Sequence, residues 1–333
     1  MREETIFDMT SPYRDSFRIR GYRFGEGEKT LAIVGAMRGD EVQQQYICAQ
    51  IVNRLGFIEQ HGGIAKGKSI LVIPSCNPFS MNVSRRFWAM DNTDINRMFP
   101  GYDNGETTQR IAAAVFEVLN GFDYGIQLAS YYVPGDFIPH VRMLKTGFED
   151  VETARLFGMR YVTVYPPRPF DTTLLNFNWQ LWNTKAFSVY AGKTSQIDLT
   201  TGDENVDAIL RMMSRTGIIT SETAGSAYES VLIDESTLQH IKARHAGILL
   251  RLVDVGSRVH PGQSLAHIIH PYNGQILSDV KATKEGTVFF AHNRPVVLQN
   301  ALLFMVHTIE MGQKGTGTCH TIRRSSEEQM VDI

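Results

Sequence analysis

The first two thirds of the chain alternate short apolar segments with segments of helical periodicity. LAIVG at 31–35, SILVIP at 69–74 and YGIQLA at 124–129 are typical of buried strands. Apolar residues recur at helical spacing over 41–55, and a threonine-initiated helix is predicted over 107–119. This alternation indicates an α/β region whose sheet is largely parallel or mixed and is covered by helices.

The same pattern continues to about residue 225. HVRML, YVTVY and AFSVY predict three more strands, at 140–144, 161–165 and 186–190. A helix is predicted over 206–215 and leads into GIITSE at 217–222. We therefore place an α/β domain over residues 1–225.

After about residue 228 the pattern changes to short strands with turn residues roughly every ten positions. The segments concerned are GILLRLVDVG, QSLAHIIHP, GQILSDVKA, GTVFFAH and ALLFMVH. They predict a small all-β module over 226–310. A polar tail, low in apolar residues, follows over 311–333.

Composition limits the classes of function. The chain has 333 residues, 33 Lys+Arg against 35 Asp+Glu, a net charge of -2 and 43% hydrophobic residues. These values are those of a globular protein, and they argue against disorder and against a broad surface for nucleic acid. No apolar stretch approaches the 18 residues of a membrane span, and the N-terminus has no basic patch followed by an apolar run. We expect a cytoplasmic protein with no membrane partner.

Cysteine usage points the same way. Cys48, Cys76 and Cys319 are far apart and form no C-x-x-C pair. Neither a disulfide framework nor a cysteine zinc site is supported, so a reducing compartment is expected.

The densest group of polar residues lies over 77–101, after the second predicted strand. Asp94, Asn96 and Arg97 are followed directly by Phe99-Pro100-Gly101. One interpretation is a solvated loop. The other is an anion site, because open α/β sheets bind ligands beyond the carboxyl ends of their strands and arginine binds carboxylates in bidentate geometry.

These residues also match a known family. The chain resembles the succinylglutamate desuccinylase/aspartoacylase family of the zinc carboxypeptidase superfamily, over most of its length. Four family motifs have counterparts in the chain. The first, G-x-H-G-(D/N)-E, corresponds to residues 35–41, and the second consists of N-P at 77–78, an arginine at Arg86 and D-x-N-R-x-F-P-G at 94–101. The third, D-L-H-(S/T), corresponds to 127–130, and the fourth, T-x-E, to 220–222. The D-x-N-R-x-F-P-G match is the most specific. The resemblance implies a carboxypeptidase-like α/β fold with a mixed sheet flanked by helices, and a C-terminal β-barrel similar to biotinyl and lipoyl carrier domains.

The chain departs from the family at the zinc ligands. The resemblance implies a metal held by the His and Glu of the first motif and the His of the third. Arg38 and Ala129 occupy the two histidine positions here, and Glu41 is the one surviving ligand. Arg38 precedes Glu41 by three residues, so we expect the two to pair. No cofactor is expected, unless zinc binds at a rearranged site.

Other site residues follow from the resemblance. Arg86, Asn96 and Arg97 would hold a substrate carboxylate. Glu222 occupies the position of the general base, with pairing to an arginine as the structural alternative. His140 begins a strand close after the third motif, so it could point into the cleft, in either a structural or a substrate-contact role.

Three functions remain open at this stage. The first is a metal-depleted protein that binds an N-acyl amino acid or small peptide through its carboxylate. The second is an amide or ester hydrolase, with Glu222 as base and either a rearranged metal site or Arg38 as electrophile. The third is a structural role, in which the β module forms a homo-oligomer.

Overall fold

The computed structural model describes residues 1–12, 14–221 and 227–308, with Arg14 described by its backbone alone. The tail predicted over 311–333 lies outside the described residues.

The described helices are α1 Val42–Gln60, α2 Pro78–Asn82, α3 Thr107–Leu119, α4 Val151–Arg155, α5 Leu175–Leu181 and α6 Leu199–Arg215. The first ten strands are β1 Arg2–Ser11, β2 Arg14–Phe24, β3 Gly27–Ala36, β4 Gly67–Ser75, β5 Tyr124–Ala129, β6 Gly135–Phe137, β7 His140–Leu144, β8 Tyr161–Tyr165, β9 Lys185–Tyr190 and β10 Val231–Asp234. The strands that follow are β11 Leu238–Lys242, β12 Gly247–Arg251, β13 Arg258–Val259, β14 Ser264–Ile269, β15 Ile276–Lys281, β16 Gly286–His292, β17 Val296–Val297 and β18 Leu302–Thr308.

Nine strands form one mixed sheet, in the order β1-β2-β4-β3-β5-β9-β7-β8-β10. Strands β4, β3, β5 and β9 are parallel, whereas β7 runs antiparallel to β9. The predicted mixed α/β fold is therefore confirmed.

Burial on both faces explains why the central strands are apolar throughout. Leu31 and Ile33 of β3 pack into a core with α1 and α6, while Ala32 and Val34 pack into a second core with α3 and α5. Successive side chains of a strand point to opposite faces, so a sheet covered on both sides needs a continuous apolar run.

Most of the predicted elements occur close to their expected positions. The hairpin of β1 and β2 was not predicted, although the segment FRIRGYRF at 17–24 alternates apolar and charged residues. The resemblance implies a strand that ends at T-x-E, but the described part of this segment forms only an isolated bridge between Ile219 and Ile64. That expectation is wrong for 217–221, and Glu222 lies outside the described residues.

The C-terminal region is a β module, as predicted. One sheet has the order β11-β18-β16-β13 and a second has the order β15-β14-β12-β17. Strand β6, from the α/β region, pairs antiparallel with β16 and so extends the first module sheet. Closure into a barrel and the domain division at 225 remain predictions. Within the described ranges, no helix is both long and apolar enough to cross a bilayer.

Candidate functional site

A cavity of about 550 Å³ lies where β3, β5 and β9 end. Its walls include Arg38, Gln127 and Ala129 from the first two of these strands and their loops. Leu302 and Met305 of β18 also line it, so the β module completes the cavity. The cavity therefore lies between the α/β sheet and the module, and both contribute residues to its walls.

Arg38 is held between two carboxylates at one end of this cavity. Its Nη1 donates to Glu41 Oε1 at 3.1 Å, and its Nε and Nη2 donate to Asp94 Oδ2 at 3.2 and 2.9 Å. The side chain is only 5% exposed. Burial by itself would lower the pKa of Arg38, but the charges of Asp94 and Glu41 outweigh burial and raise it above its usual range. The predicted pairing with Glu41 is confirmed.

The Glu41 carboxylate has no acceptor capacity left. Its Oε2 accepts from the backbone N–H groups of Met37 and Arg38, at 2.9 and 3.0 Å. Its Oε1 accepts from Arg38 and from the Ser130 hydroxyl, the latter at 2.6 Å. A carboxylate has about four acceptor positions, and all four are occupied by donors of the chain.

A hydrogen bond from the local backbone also fixes the position of the Asp94 carboxylate. Asp94 precedes a single 3₁₀ turn, and its Oδ1 accepts from the backbone N–H of Asn96 at 3.1 Å. This cap holds the carboxylate in place, so Oδ2 is directed at the guanidinium of Arg38.

Two of the three predicted carboxylate-binding residues line the cavity. Asn96 and Arg97 do, but Arg86 does not. Arg86 instead donates to both carboxylate oxygens of Asp40 at 2.9 Å and to the carbonyl of Tyr131 at 2.8 Å. The structure therefore does not bring the predicted set of three together.

Arg97 keeps part of its guanidinium available. Its Nη1 donates to the carbonyl of Phe170 at 2.5 Å and to Asp171 at 3.3 Å. Within the described ranges, its Nε and Nη2 have no hydrogen-bond partner, and the guanidinium lies 5.0 Å from the Phe170 ring centre. One edge of a planar donor group therefore remains free for a ligand.

His140 is buried behind the cavity wall. It is 0% exposed and stacks on Tyr190, with ring centres 4.8 Å apart, and its Nδ1 lies 2.7 Å from the carbonyl of Ile138. Burial lowers the pKa of His140 to about 3, so the ring is neutral at physiological pH and Nδ1–H donates to the carbonyl. The structure supports the structural role for this histidine and does not bring it to the cavity.

A second, partly buried ion pair lines the cavity and was not predicted. Arg142 of β7 donates to both carboxylate oxygens of Glu235, through Nη2 at 2.6 Å and through Nε, and to the Tyr190 hydroxyl at 2.7 Å. The Tyr165 ring centre lies 3.7 Å from the guanidinium carbon. The sequence did contain one signal for this pair, because Arg142 is a charged residue in the middle of the apolar strand HVRML. Its partner, 93 residues away, could not be found from spacing.

The comparisons with known proteins agree with this architecture. Residues 27–214 match the family model "Succinylglutamate desuccinylase/Aspartoacylase catalytic domain". The match covers more than half of the chain, so the chain belongs to this family. A curated relative, the N-alpha-acetyl-L-2,4-diaminobutyric acid deacetylase of Halomonas elongata, is 24% identical over 255 residues, which are 73% of this chain and 71% of the relative.

Solved structures share the fold. The product-bound ectoine utilization protein EutE (DoeB) of Ruegeria pomeroyi superposes with a TM-score of 0.74 at 17% identity, covering 89% of this chain and 90% of that one. A succinylglutamate desuccinylase of Silicibacter sp. gives a TM-score of 0.75 at 18% identity, over 88% and 89% of the two chains. At these identities the likeness establishes the fold alone.

The residues at the positions that the family resemblance implies for the zinc ligands do not fit a zinc ion. At the two implied histidine positions Arg38 and Ala129 offer a guanidinium and a methyl group, and the carboxylate of Glu41 already accepts from four donors of the chain. No cluster of three or more His, Cys, Asp or Glu side chains suited to a metal occurs in the described ranges, which exclude Glu222.

Proposed function

We propose that this protein binds an N-acyl amino acid, or the carboxylate of a small peptide, in the cavity and that its zinc site is depleted. The observation that carries the proposal is the Arg38 guanidinium, bonded to Glu41 and Asp94 at the end of the cavity. A guanidinium keeps a positive charge at this position but cannot ligate a metal.

Asn96 and Arg97 are the proposed carboxylate-binding residues. Both line the cavity, and Arg97 has free donors on Nε and Nη2 within the described part of the chain. Arg86 supports them indirectly, since it joins Asp40 to the backbone of Tyr131, a residue of the cavity wall. The small-molecule partner is inferred from these donors together with the family.

Elemental analysis tests the metal part of the proposal. Protein purified without chelator is expected to contain much less than one zinc per chain, and added zinc is expected to leave the melting temperature unchanged. Stoichiometric zinc in the purified protein would refute depletion.

Ligand titration tests the binding part. A panel of N-acetyl amino acids, including N-alpha-acetyl-L-2,4-diaminobutyrate, is titrated by calorimetry against wild type and Arg97→Ala. The variant is expected to lose about 1.5–3 kcal/mol of binding free energy, the range for a hydrogen bond to a charged group. Arg85→Ala, at an exposed arginine of the same loop that does not line the cavity, is the control. Equal binding of an N-acetyl amino acid and its C-terminal amide would remove the carboxylate from the proposal.

A hydrolase is the second candidate, favoured by the deacetylase relative. In this alternative Glu222 would be the general base and Arg38 the electrophile next to the acyl carbonyl; zinc at a rearranged site would be the other possible source of that electrophile. NMR detection of acetate released from the same panel tests it, and Glu222→Gln should abolish that release. If no acetate is released, the binding function is the one that remains.

A further inference from the structure

The second sheet of the β module has an apolar outer face. Its strand order is β15-β14-β12-β17, and the register places in one row across all four strands Ile276, Ile269, Ile248 and Val296. Leu250 and Leu252 come two and four residues after Ile248, and Leu298 comes two residues after Val296. Side chains of a strand alternate between the two faces of a sheet, so these seven residues form one face, which we call the outer face.

The outer face takes no part in the core of the module. Leu249, Ile268 and Val280 alternate with its residues and pack inside the module, whereas no outer-face residue belongs to an apolar core formed by the described residues. The five most exposed, at 44–72%, are Leu250, Leu252, Ile276, Val296 and Leu298. An antiparallel sheet with one face in water normally has polar residues on that face. An apolar outer face therefore indicates a face that is covered by a partner.

The size of the outer face matches one half of a protein–protein interface. From their exposed fractions, its five most exposed residues present roughly 500 Å² of surface in the single chain, an area typical of functional apolar patches. A stable interface buries about 800 Å² per partner, and homodimer interfaces are about 65% apolar. About 500 Å² of apolar surface is therefore needed from each copy, which is what the outer face provides.

A second copy of the same face is the partner that this chemistry fits. Two apolar sheet faces pack on one another about 10 Å apart, and a twofold axis brings the same apolar row of both copies together. The ionisable side chains of β14 and β15 on this face are balanced, because Asp279 lies 3.6 Å from Nε2 of His267 and 3.3 Å from Nζ of Lys281. Two copies therefore meet without an excess of like charge.

We infer that the outer face is the interface of a homodimer, in which β12, β14, β15 and β17 of one copy pack face to face on the same strands of a second copy. Leu302 and Met305 of the cavity wall belong to the other module sheet. None of the described residues of β12, β14, β15 and β17 lines the cavity. The dimer interface is therefore separate from the cavity walls, and the inference does not depend on the proposed ligand.

Sedimentation velocity of the full chain at micromolar concentration tests the interface. Wild type is expected at twice the 37.5 kDa of one chain. Leu250→Glu and Ile276→Glu each place an unpaired charge in both halves of the interface, which is costly to bury. Each variant is expected to raise the dimer dissociation constant by about a hundredfold or more and to sediment as a monomer.

Leu199→Glu is the matched control, because it makes the same exchange at an exposed leucine of α6 outside the outer face. This variant should remain dimeric. Leu250 and Ile276 are exposed in the single chain, so a charge at either position leaves the core unchanged, and far-UV circular dichroism checks that each variant is folded. A variant that does not fold is replaced by Val296→Lys, on the edge strand β17.

Each other outcome overturns the inference. A monomeric wild type would exclude the second copy and leave another protein, or the chain after residue 308, as the occupant of the outer face. A wild-type dimer that persists in Leu250→Glu and Ile276→Glu would place the interface elsewhere. Dissociation of Leu199→Glu to the same extent would show that the loss is not specific to this face.

Discussion

The guanidinium of Arg38 is held by two carboxylates that come from very different distances along the chain. Glu41 is three residues away, a spacing that predicts the pair from the sequence. Asp94 is 56 residues away, and its contact depends on how the two loops fold over the ends of β3 and β4. Sequence spacing therefore predicts the contact of Arg38 with Glu41 but not its contact with Asp94.

Removing the Arg38 charge should be costly. Arg38→Met leaves Glu41 and Asp94 buried without their cation, and breaking a buried pair from one side costs about 3–5 kcal/mol. Urea unfolding measures the loss. Arg18→Met breaks the exposed pair with Asp8 and should cost under about 1 kcal/mol. A similar small loss at both positions would show that Arg38 is not stabilising its neighbours.

His140 should make the protein sensitive to mild acid. Burial lowers its pKa to about 3 in the folded state, against about 6.5 when unfolded, so the unfolded state binds more protons between these values. The stability from neutral His140 is complete above about pH 6.5 and is lost as pH falls towards 3. Between pH 7.5 and 5 the loss is about 2 kcal/mol.

The variant His140→Phe keeps a ring at this position but cannot be protonated. Its unfolding free energy should fall less between pH 7.5 and 5 than that of wild type, whatever its absolute stability. The same substitution at the exposed His245 is the control. Parallel pH profiles for wild type and His140→Phe would contradict the burial argument.

At the scale of elements, strongly periodic segments were predictable and short or irregular ones were not. The helix over 107–119 and the strand over 124–129 occur with the predicted bounds, because each is set by an unbroken apolar period. β6 has three residues and exists through pairing with β16, over 150 residues later. Its contribution to the module sheet is a tertiary effect that no local pattern carries.

The adjacency of β3 and β5 permits a test of the zinc-ligand positions that the family resemblance implies. Val34 pairs with Gln127, so the loop after β3 lies beside the end of β5. Arg38→His combined with Ala129→His should create a zinc site together with Glu41, which loses one donor when Arg38 is replaced. Each single variant should bind weakly, for want of a third ligand.

Calorimetric zinc titration of wild type, both single variants and the double variant measures this. The resemblance implies an Asp at position 127, where this chain has Gln, and a change outside the ligands can alter affinity about 10- to 100-fold. No gain in the double variant would mean that positions 38, 41 and 129 no longer converge on one point.

At the scale of the whole molecule, the α/β region and the β module are joined by more than one kind of contact. β6 and β16 pair, and Asp136 of the α/β region accepts from Arg251 of the module at 2.8 Å. Leu302 and Met305 of the module close the cavity. These shared contacts predict that neither part unfolds alone.

Cooperative unfolding can be tested with the natural tryptophans. Trp88, Trp179 and Trp182 all belong to the α/β region, so their fluorescence reports on that region only. Urea transitions followed by fluorescence and by far-UV circular dichroism should coincide. A circular dichroism transition that precedes any fluorescence change would show that the module unfolds independently.

The position of Arg38 between Asp94 and Glu41 also determines whether the positive charge in the cavity depends on the solution around the protein. A bound metal ion can be removed by a chelator, exchanged for a competing ion or lost when its supply falls. A guanidinium is part of the polypeptide, and with its pKa raised by two buried carboxylates it stays charged throughout the physiological pH range. The positive charge at this end of the cavity is therefore encoded in the amino-acid sequence and does not depend on the supply of metal ions.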